Sequence, residues 1–326
     1  MKFMFKEISQ EENYGKIVDT YAFCQDVKLT TGSRGNKYAT ITLSDASGII
    51  YAKEWFESFT GDESNLVGKV VRVMFKIQLY DGMPTCIISV IQEADESQYE
   101  LSDIADGISD EQKKCYVNRL QQYIAAVKNE TLKTVLCTVF NENVIEEFCR
   151  LPAGLKHHHN FNGALLVHTL EVCDIASFYY KTHQTYGEAK KYSRPINLDI
   201  LITGSLLHDI GKLKEYQSFP AAERLAEGKL IGHLTSGVIY LTQAYAEAGL
   251  VCDEMFYELS HIIMSSHGDS GDIKPMTLEA IIISQADNMS AQADGYCCFC
   301  EEDNQKHTGN DLFGYSSIKG QYFLKR

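Results

Sequence analysis

Proline is scarce in this 326-residue chain, with 5 residues, and tryptophan occurs once. No apolar run approaches the roughly 18 residues that a membrane-crossing helix needs, so a helical membrane span is not expected. The N-terminal Met1-Lys-Phe-Met-Phe-Lys-Glu-Ile8 has no long apolar stretch behind its lysines, so no signal peptide is expected either. Positive charge is also in deficit. Against 44 Asp and Glu stand 30 Lys and Arg, a net charge of −14. That argues against a broad electrostatic grip on duplex nucleic acid. It leaves room for a local groove that holds single strands, where stacking supplies much of the affinity. What is abundant is aromatic: 15 Phe and 19 Tyr in a chain that is 44% hydrophobic. Such a chain does not stay disordered, and its length fits about two domains.

Ten cysteines are present, but their spacing does not suggest disulfides. Cys24, Cys86, Cys115, Cys137, Cys149, Cys173 and Cys252 are scattered singly, and Cys297, Cys298 and Cys300 lack a matching second pair for zinc. The expectation is reduced, mostly buried thiols in a cytoplasmic protein.

Residues 1–95 read as an all-β domain. Candidate strands are Lys16–Thr30, Tyr38–Ser44, Gly48–Trp55, Lys69–Tyr80 and Pro84–Gln92, with turn signals at Thr31–Asn36, Ser44–Gly48 and Asp81-Gly82. Alternation puts Ala39, Ile41 and Leu43 on one face and Tyr38, Thr40 and Thr42 on the other. Five strands with a short helical insertion at about Ser58–Asn65 fit an OB-fold barrel. On its outer face Tyr38, Tyr51, Lys53 and Trp55 offer aromatics for base stacking and a cation for the backbone, with Arg34 and Lys37 in the first loop. The alternative is that Tyr51 and Trp55 are packing residues. Residues 96–110 are acidic and polar and read as a linker. From 111 to 326 the period becomes helical: Ser109 and Gln112 make a capping box, and Val117, Leu120, Tyr123, Ile124 and Val127 recur on one face. The tail after Cys297 carries aromatics without recognisable chemistry.

The chemistry sits on the predicted helices. On Gly163–Lys181, His168 shares a face with Leu165, Val172 and Ile175, so its imidazole points inward as a hydrogen-bonded core residue or as a ligand. On Leu198–Leu213, His208 and Asp209 are adjacent and Lys212 follows one turn later. A buried carboxylate there needs a partner. A divalent cation is one, and an Asp–Lys salt bridge is the other. His233, His267 and Asp287 follow on further helical segments, Asp287 beside Ala280, Ile283 and Ser284. The runs around His183 and His307 are polar and read as surface, and His261 reads as packing.

The order His168…His208-Asp209…His233…His267…Asp287 on an all-helical domain resembles the HD-domain metal phosphohydrolases. Pro152-Ala…His158-His159…Gly163-Ala-Leu-Leu-Val-His-Thr169 and His208-Asp-Ile-Gly-Lys212, behind an OB-like domain, resemble the YhaM-type 3′→5′ exoribonucleases over the whole chain. The resemblance implies an OB-fold barrel followed by an all-α HD domain. It implies His168, His208, Asp209 and Asp287 as ligands of one metal, with Asp209 bridging to a second metal held by His233 and His267. Lys212 would lie by the scissile phosphate. His158 and His159 would contact substrate or lie in a solvated loop. Imidazole with carboxylate favours Mn²⁺ or Fe²⁺, with Co²⁺ or Mg²⁺ as alternatives, one or two ions per chain. Two such ions about 3.5–4 Å apart clamp a phosphodiester and activate water. The implied substrate is single-stranded RNA, or DNA, released as nucleoside 5′-monophosphates, and the implied assembly is a homo-oligomer. The second substrate class is a small or cyclic nucleotide. Relatives often have His-His-Gly where this chain has Ser266-His267-Gly268, and Glu where it has Val167. If that missing imidazole is a ligand, the second metal site is weaker here.

Overall fold

The computed structural model describes residues 3–31, 37–55, 63–80, 82–155, 160–187, 189–191, 194–306, 312–316 and 320–324. The chain divides into two compact units, Met1–Gly107 with Phe219–Ala221, and Ile108–Ser218 with Ala222–Arg326.

In the first unit five strands close into a barrel: β1 Ile17–Thr31, β2 Lys37–Asp45, β3 Gly48–Trp55, β4 Val70–Tyr80 and β5 Met83–Glu93, in the order β1-β2-β3-β5-β4. β1 is long enough to pair with both β2 and β4, and an irregularity between Cys24 and Asp26 marks where it bends. The parallel pairing of Lys53 with Ile87 closes the ring. Alternation decides the interior. Ala39, Ile41 and Leu43 are fully buried with Ala52, Val73, Phe75 and Ile77. Phe5, from a 3₁₀ turn at Phe5–Glu7, packs its ring on Phe75, and its backbone N–H donates to Asp45 Oδ2 at 2.7 Å. The insertion expected near residues 58–65 is a 3₁₀ turn at Glu63–Leu66, with 56–62 outside the described residues. The acidic stretch after β5 holds a 3₁₀ turn capped by Asp95 and the short helix α1, Leu101–Ile104, whose Ile104 is buried with Phe23 and Val70.

The second unit is helical: α2 Asp110–Ala126, α3 Glu130–Val139, α4 Glu142–Phe148, α5 Ala164–Gly187, α6 Leu198–Leu207, α7 Lys212–Glu215, α8 Ala226–Glu247, α9 Glu254–Met264 and α10 Leu278–Lys306. The expected capping box starts α2, with Gln112 N–H donating to Ser109 Oγ at 3.2 Å and Ser109 N–H donating to Gln112 Oε1 at 2.8 Å. Every residue from Ile200 to Leu207 is buried, so α6 is the central rod, enclosed on all sides. The tail forms a hairpin, β6 Phe313–Ser316 with β7 Gln321–Leu324, whose Phe323 lies against Tyr296 and Phe299 of α10.

Three expectations are corrected. The helix expected over Leu198–Leu213 stops at Leu207, because the backbone tightens through i+3 bonds: Ile210 N–H to Leu207 O at 3.1 Å and Lys212 N–H to Asp209 O at 3.0 Å. His267 does not lie on a helix. α9 ends at Met264, and His267 follows in a turn completed by Gly268 at a positive φ of 56°. The thiols also divide differently: all ten are free, but Cys115, Cys137, Cys252 and Cys297 are exposed while Cys24, Cys86, Cys149 and Cys173 are buried.

Candidate metal centre

α5, the tight turn after α6, the kink in α8, the end of α9 and α10 each deliver one part of a single cluster. One ligand atom each from His168, His208 and Asp209 lie within 4.8 Å of one another, and all three residues are buried. Asp209 is the centre. Its Oδ2 lies 3.4 Å from both His168 Nε2 and His208 Nε2, and 2.5 Å from Lys212 Nζ. Its Oδ1 faces the other way, 3.7 Å from His233 Nε2. Asp287 joins through His168, Oδ1 to Nε2 at 3.1 Å, and His267 joins through His233, Nε2 to Nε2 at 3.1 Å.

Local structure explains the delivery. Gly211 has no Cβ because one would sit 1.9 Å from the carbonyl oxygen of His233, so α8 approaches the His208–Gly211 turn backbone to backbone. Gly232, at a φ of 70°, breaks α8 and starts its second half at His233. Asp287 and Ser290, three residues apart on α10, face α5 together.

The outward nitrogens decide what the inward ones can do. His208 Nδ1 lies 2.7 Å from Ser205 O, a carbonyl that only accepts, so Nδ1 carries the proton. Ser290 Oγ donates to Glu171 Oε2 at 2.8 Å and therefore accepts from His168 Nδ1 at 2.9 Å. His233 Nδ1 lies 2.5 Å from Glu215 Oε2, a separation that two bare lone pairs do not tolerate. With Nδ1 protonated in each ring, a neutral ring has a bare Nε2, and each Nε2 points at Asp209. His168 Nε2 and His208 Nε2 are only 3.3 Å apart. Bare nitrogens facing each other and carboxylates need a shared positive charge. The donor set, imidazole with carboxylate, fits a divalent transition ion.

The electrostatics agree. Burial would raise the Asp209 carboxyl, but Lys212, His208 and His168 overcome it and hold it well below the ordinary carboxylate range. Burial disfavours charge on His168, yet its hydrogen bonds with Asp209 and Asp287 win and raise it. There a proton takes the place a cation would hold. Burial, then the His233 charge, lowers His267.

Lys212 is buried against Asp209. Ser266 is also buried, and its Oγ has no hydrogen-bond partner among the described residues. His261 lies apart, accepting from Met276 N–H at 2.9 Å. His158, His159 and Arg34 lie outside the described residues, as does the side chain of Lys37. On the barrel, Tyr38 and Trp55 are cross-strand neighbours with ring centroids 5.5 Å apart, and Lys53 Nζ lies 5.5 Å from both the Tyr38 and Tyr80 rings. Tyr51 is 69% exposed and Trp55 40%, so neither is a core residue. The reading of the sequence missed Tyr80, whose signal was only its place before the Asp81-Gly82 turn. It also missed Glu171, Ser205, Ser290, Glu215 and Arg224. Glu171 and Ser290 each sit three residues after a candidate ligand, and Glu215 three after Lys212.

Residues 165–292 match the family model of the HD domain, a span that holds every residue of the cluster from His168 to Asp287. The match supports an HD-domain phosphohydrolase dependent on a divalent metal, behind a closed five-stranded barrel of OB type.

Proposed function

We propose that the chain is a metal-dependent 3′→5′ exoribonuclease of the YhaM type, which shortens single-stranded RNA, and single-stranded DNA as a second substrate, by one nucleoside 5′-monophosphate at a time. The observation that carries the reading is the set of three imidazoles, each with Nδ1 facing a polar partner on the outside and Nε2 turned on Asp209. In this reading Asp209 would hold one divalent cation together with His168, His208 and Asp287, and a second together with His233 and His267. Bound there, Mn²⁺ or a related ion would supply an activated water and neutralise charge on the phosphodiester. Lys212, already beside Asp209, stabilises negative charge as it develops on the phosphoryl oxygens. Water adds to the terminal phosphorus and the P–O3′ bond breaks. The strand keeps a 3′-hydroxyl and the released nucleotide keeps the 5′-phosphate.

The outer row of Tyr38, Tyr51, Trp55 and Tyr80 with Lys53 supports the choice of a single strand, because stacking needs no excess of positive charge. The polarity rests on the resemblance of the motifs. The test is purified protein with Mn²⁺ and 5′-labelled oligoribonucleotide, wild type beside Asp209→Ala. A ladder descending by single nucleotides in wild type alone is expected. Intact RNA beside a hydrolysed small or cyclic nucleotide would move the substrate to the second class. No hydrolysis of either, with no metal taken up, would leave a binding module.

A further inference from the structure

The geometry points to Glu215, clamped by Arg224, as the positioning residue that fixes His233 as a ligand of the second cation, an inference that rests on the two-cation reading above. Glu215 is 2% exposed. A carboxylate so deeply buried is strongly disfavoured unless it is paired. One oxygen is paired conventionally: Oε1 lies 2.8 Å from Arg224 Nη2. The other has no regular hydrogen-bond partner among the described residues and lies 2.5 Å from His233 Nδ1. The carboxylate therefore spends one side on a guanidinium and keeps the other for the ring.

The surrounding backbone is built to hold it there. Glu215 closes α7, three residues after Lys212, and Leu225 N–H donates to its carbonyl at 2.8 Å. Tyr216 and Arg224 form an isolated bridge, which brings the guanidinium back over the carboxylate. Gly228, in the first turn of α8, lies on the Glu215 side chain: a Cβ there would come within 2.6 Å of Glu215 Cγ. So Arg224 holds the carboxylate while Leu225 and Gly228 hold the backbone and stem of Glu215, and His233 begins a helix segment directly after the Gly232 kink. Rotation of that ring would carry Nε2 away from Asp209 Oδ1, so it needs a stop on its Nδ1 side. Glu215 supplies the stop and sets Nδ1 as the protonated nitrogen. His168 and His208 have separate outward partners, Ser290 and Ser205. The influence of Glu215 is therefore confined to the Oδ1 side of Asp209.

The test uses the full-length protein stripped with chelator and titrated with Mn²⁺. Stepwise affinities come from calorimetry and bound metal from elemental analysis of desalted samples. Wild type is expected to take two ions. Glu215→Gln is expected to keep the first step and weaken the second by about 10–100-fold, the usual effect of losing a group that orients a metal-bound histidine. Glu215→Asp should recover part of that loss. In a His233→Ala background, Glu215→Gln should change nothing further, which a purely structural role would not produce. If Glu215→Gln does not fold, Arg224→Gln is the second variant, and a smaller loss confined to the second step is expected. Two ions in wild type with both steps unchanged in Glu215→Gln and Arg224→Gln overturns the inference alone. Equal weakening of both steps does the same. A wild type that takes up one ion or none overturns the inference together with the two-cation reading.

Discussion

Gly211 and His233 touch through their backbones: a Cβ on Gly211 would lie 1.9 Å from the His233 carbonyl oxygen and 2.5 Å from Gly237 N. Both neighbours are backbone atoms of α8, so neither can swing aside as a side-chain tip can. Gly211→Ala must therefore push the second half of α8 away from the His208–Gly211 turn. That moves His233 away from Asp209 Oδ1, where the gap is already 3.7 Å. The expected outcome is a loss of about 1–3 kcal/mol of stability, the usual range for overpacking. Binding of a second Mn²⁺ should be lost with it. Thermal melts and metal titration of the variant check both. A Gly211→Ala protein with wild-type metal affinity would mean that α8 is not held against the turn.

Asp209 and Lys212 are in contact, yet their removal should have different consequences. Asp209→Ala takes away the group that meets His168, His208 and His233 at once. It also leaves the buried Lys212 unpaired, a change that typically destabilises by about 3–5 kcal/mol. Both metal content and hydrolysis should fall to background. Lys212→Met preserves bulk and removes only the charge. Metal content should stay near wild type while turnover drops by about 10²–10³-fold, the size of effect seen when one donor to a developing oxyanion is lost. Elemental analysis beside single-turnover kinetics separates the two. A Lys212→Met variant that loses metal and turnover in proportion would make Lys212 a structural partner of Asp209.

The barrel was legible because strand alternation is local. Ala39, Ile41 and Leu43 declare an inward face with no help from the rest of the chain, and all three are fully buried. The capping box at Ser109 is equally local. The order of His and Asp residues named candidates, but not the geometry that joins them. That geometry depends on turns formed by tertiary approach. The helix ending at Leu207 and the turn carrying His267 are invisible to periodicity, because Gly211 and Gly268 adopt their roles only when α8 and α10 are beside them. Glu215, Ser290 and Glu171 escaped for a related reason. Glu215 and Ser290 are ordinary polar letters on helices until a histidine from another element arrives, and Glu171 until Ser290 of α10 does.

The pH dependence of stability should reverse when metal is added. In the metal-stripped protein His168 is raised above its ordinary 6.5, burial being outweighed by Asp209 and Asp287. A raised group stabilises fully below its unfolded value and loses that contribution as pH climbs through the folded value. Asp209 and Asp287 are lowered from 3.8 despite burial, by Lys212 and the histidines for the first and by His168 for the second. Their contribution is present above about 3.8 and fades as pH falls through the lowered values. The contribution of these three groups to the stripped protein should therefore be largest between about pH 4 and 6.5 and fade above that. A cation competes with the proton on His168 Nε2, so Mn²⁺ should stabilise more as pH rises. Melting temperatures with chelator and with Mn²⁺, from pH 5 to 8, should diverge. Parallel curves would show that metal and proton do not share that nitrogen.

The chain's single Trp offers a direct probe of the barrel. Trp55 is 40% exposed, and its ring lies 5.5 Å from Tyr38 on the neighbouring strand. A base stacking on this pair must change the indole environment, so titration with oligoadenylate in chelator, where no hydrolysis occurs, should quench the fluorescence saturably. Tyr38→Ala and Tyr80→Ala should each weaken binding by about 1–3 kcal/mol, the usual size of one base–aromatic stack. Lys53→Gln should do less at each salt concentration but flatten the salt dependence, because its ammonium, shared between the Tyr38 and Tyr80 rings, is the contact that displaces a counterion. Duplex RNA should not quench, since paired bases cannot splay onto the row and the chain carries a net charge of −14. Equal quenching by duplex and single strand would mean that the barrel reads phosphate alone, and the aromatic row would then have no part in choosing the substrate.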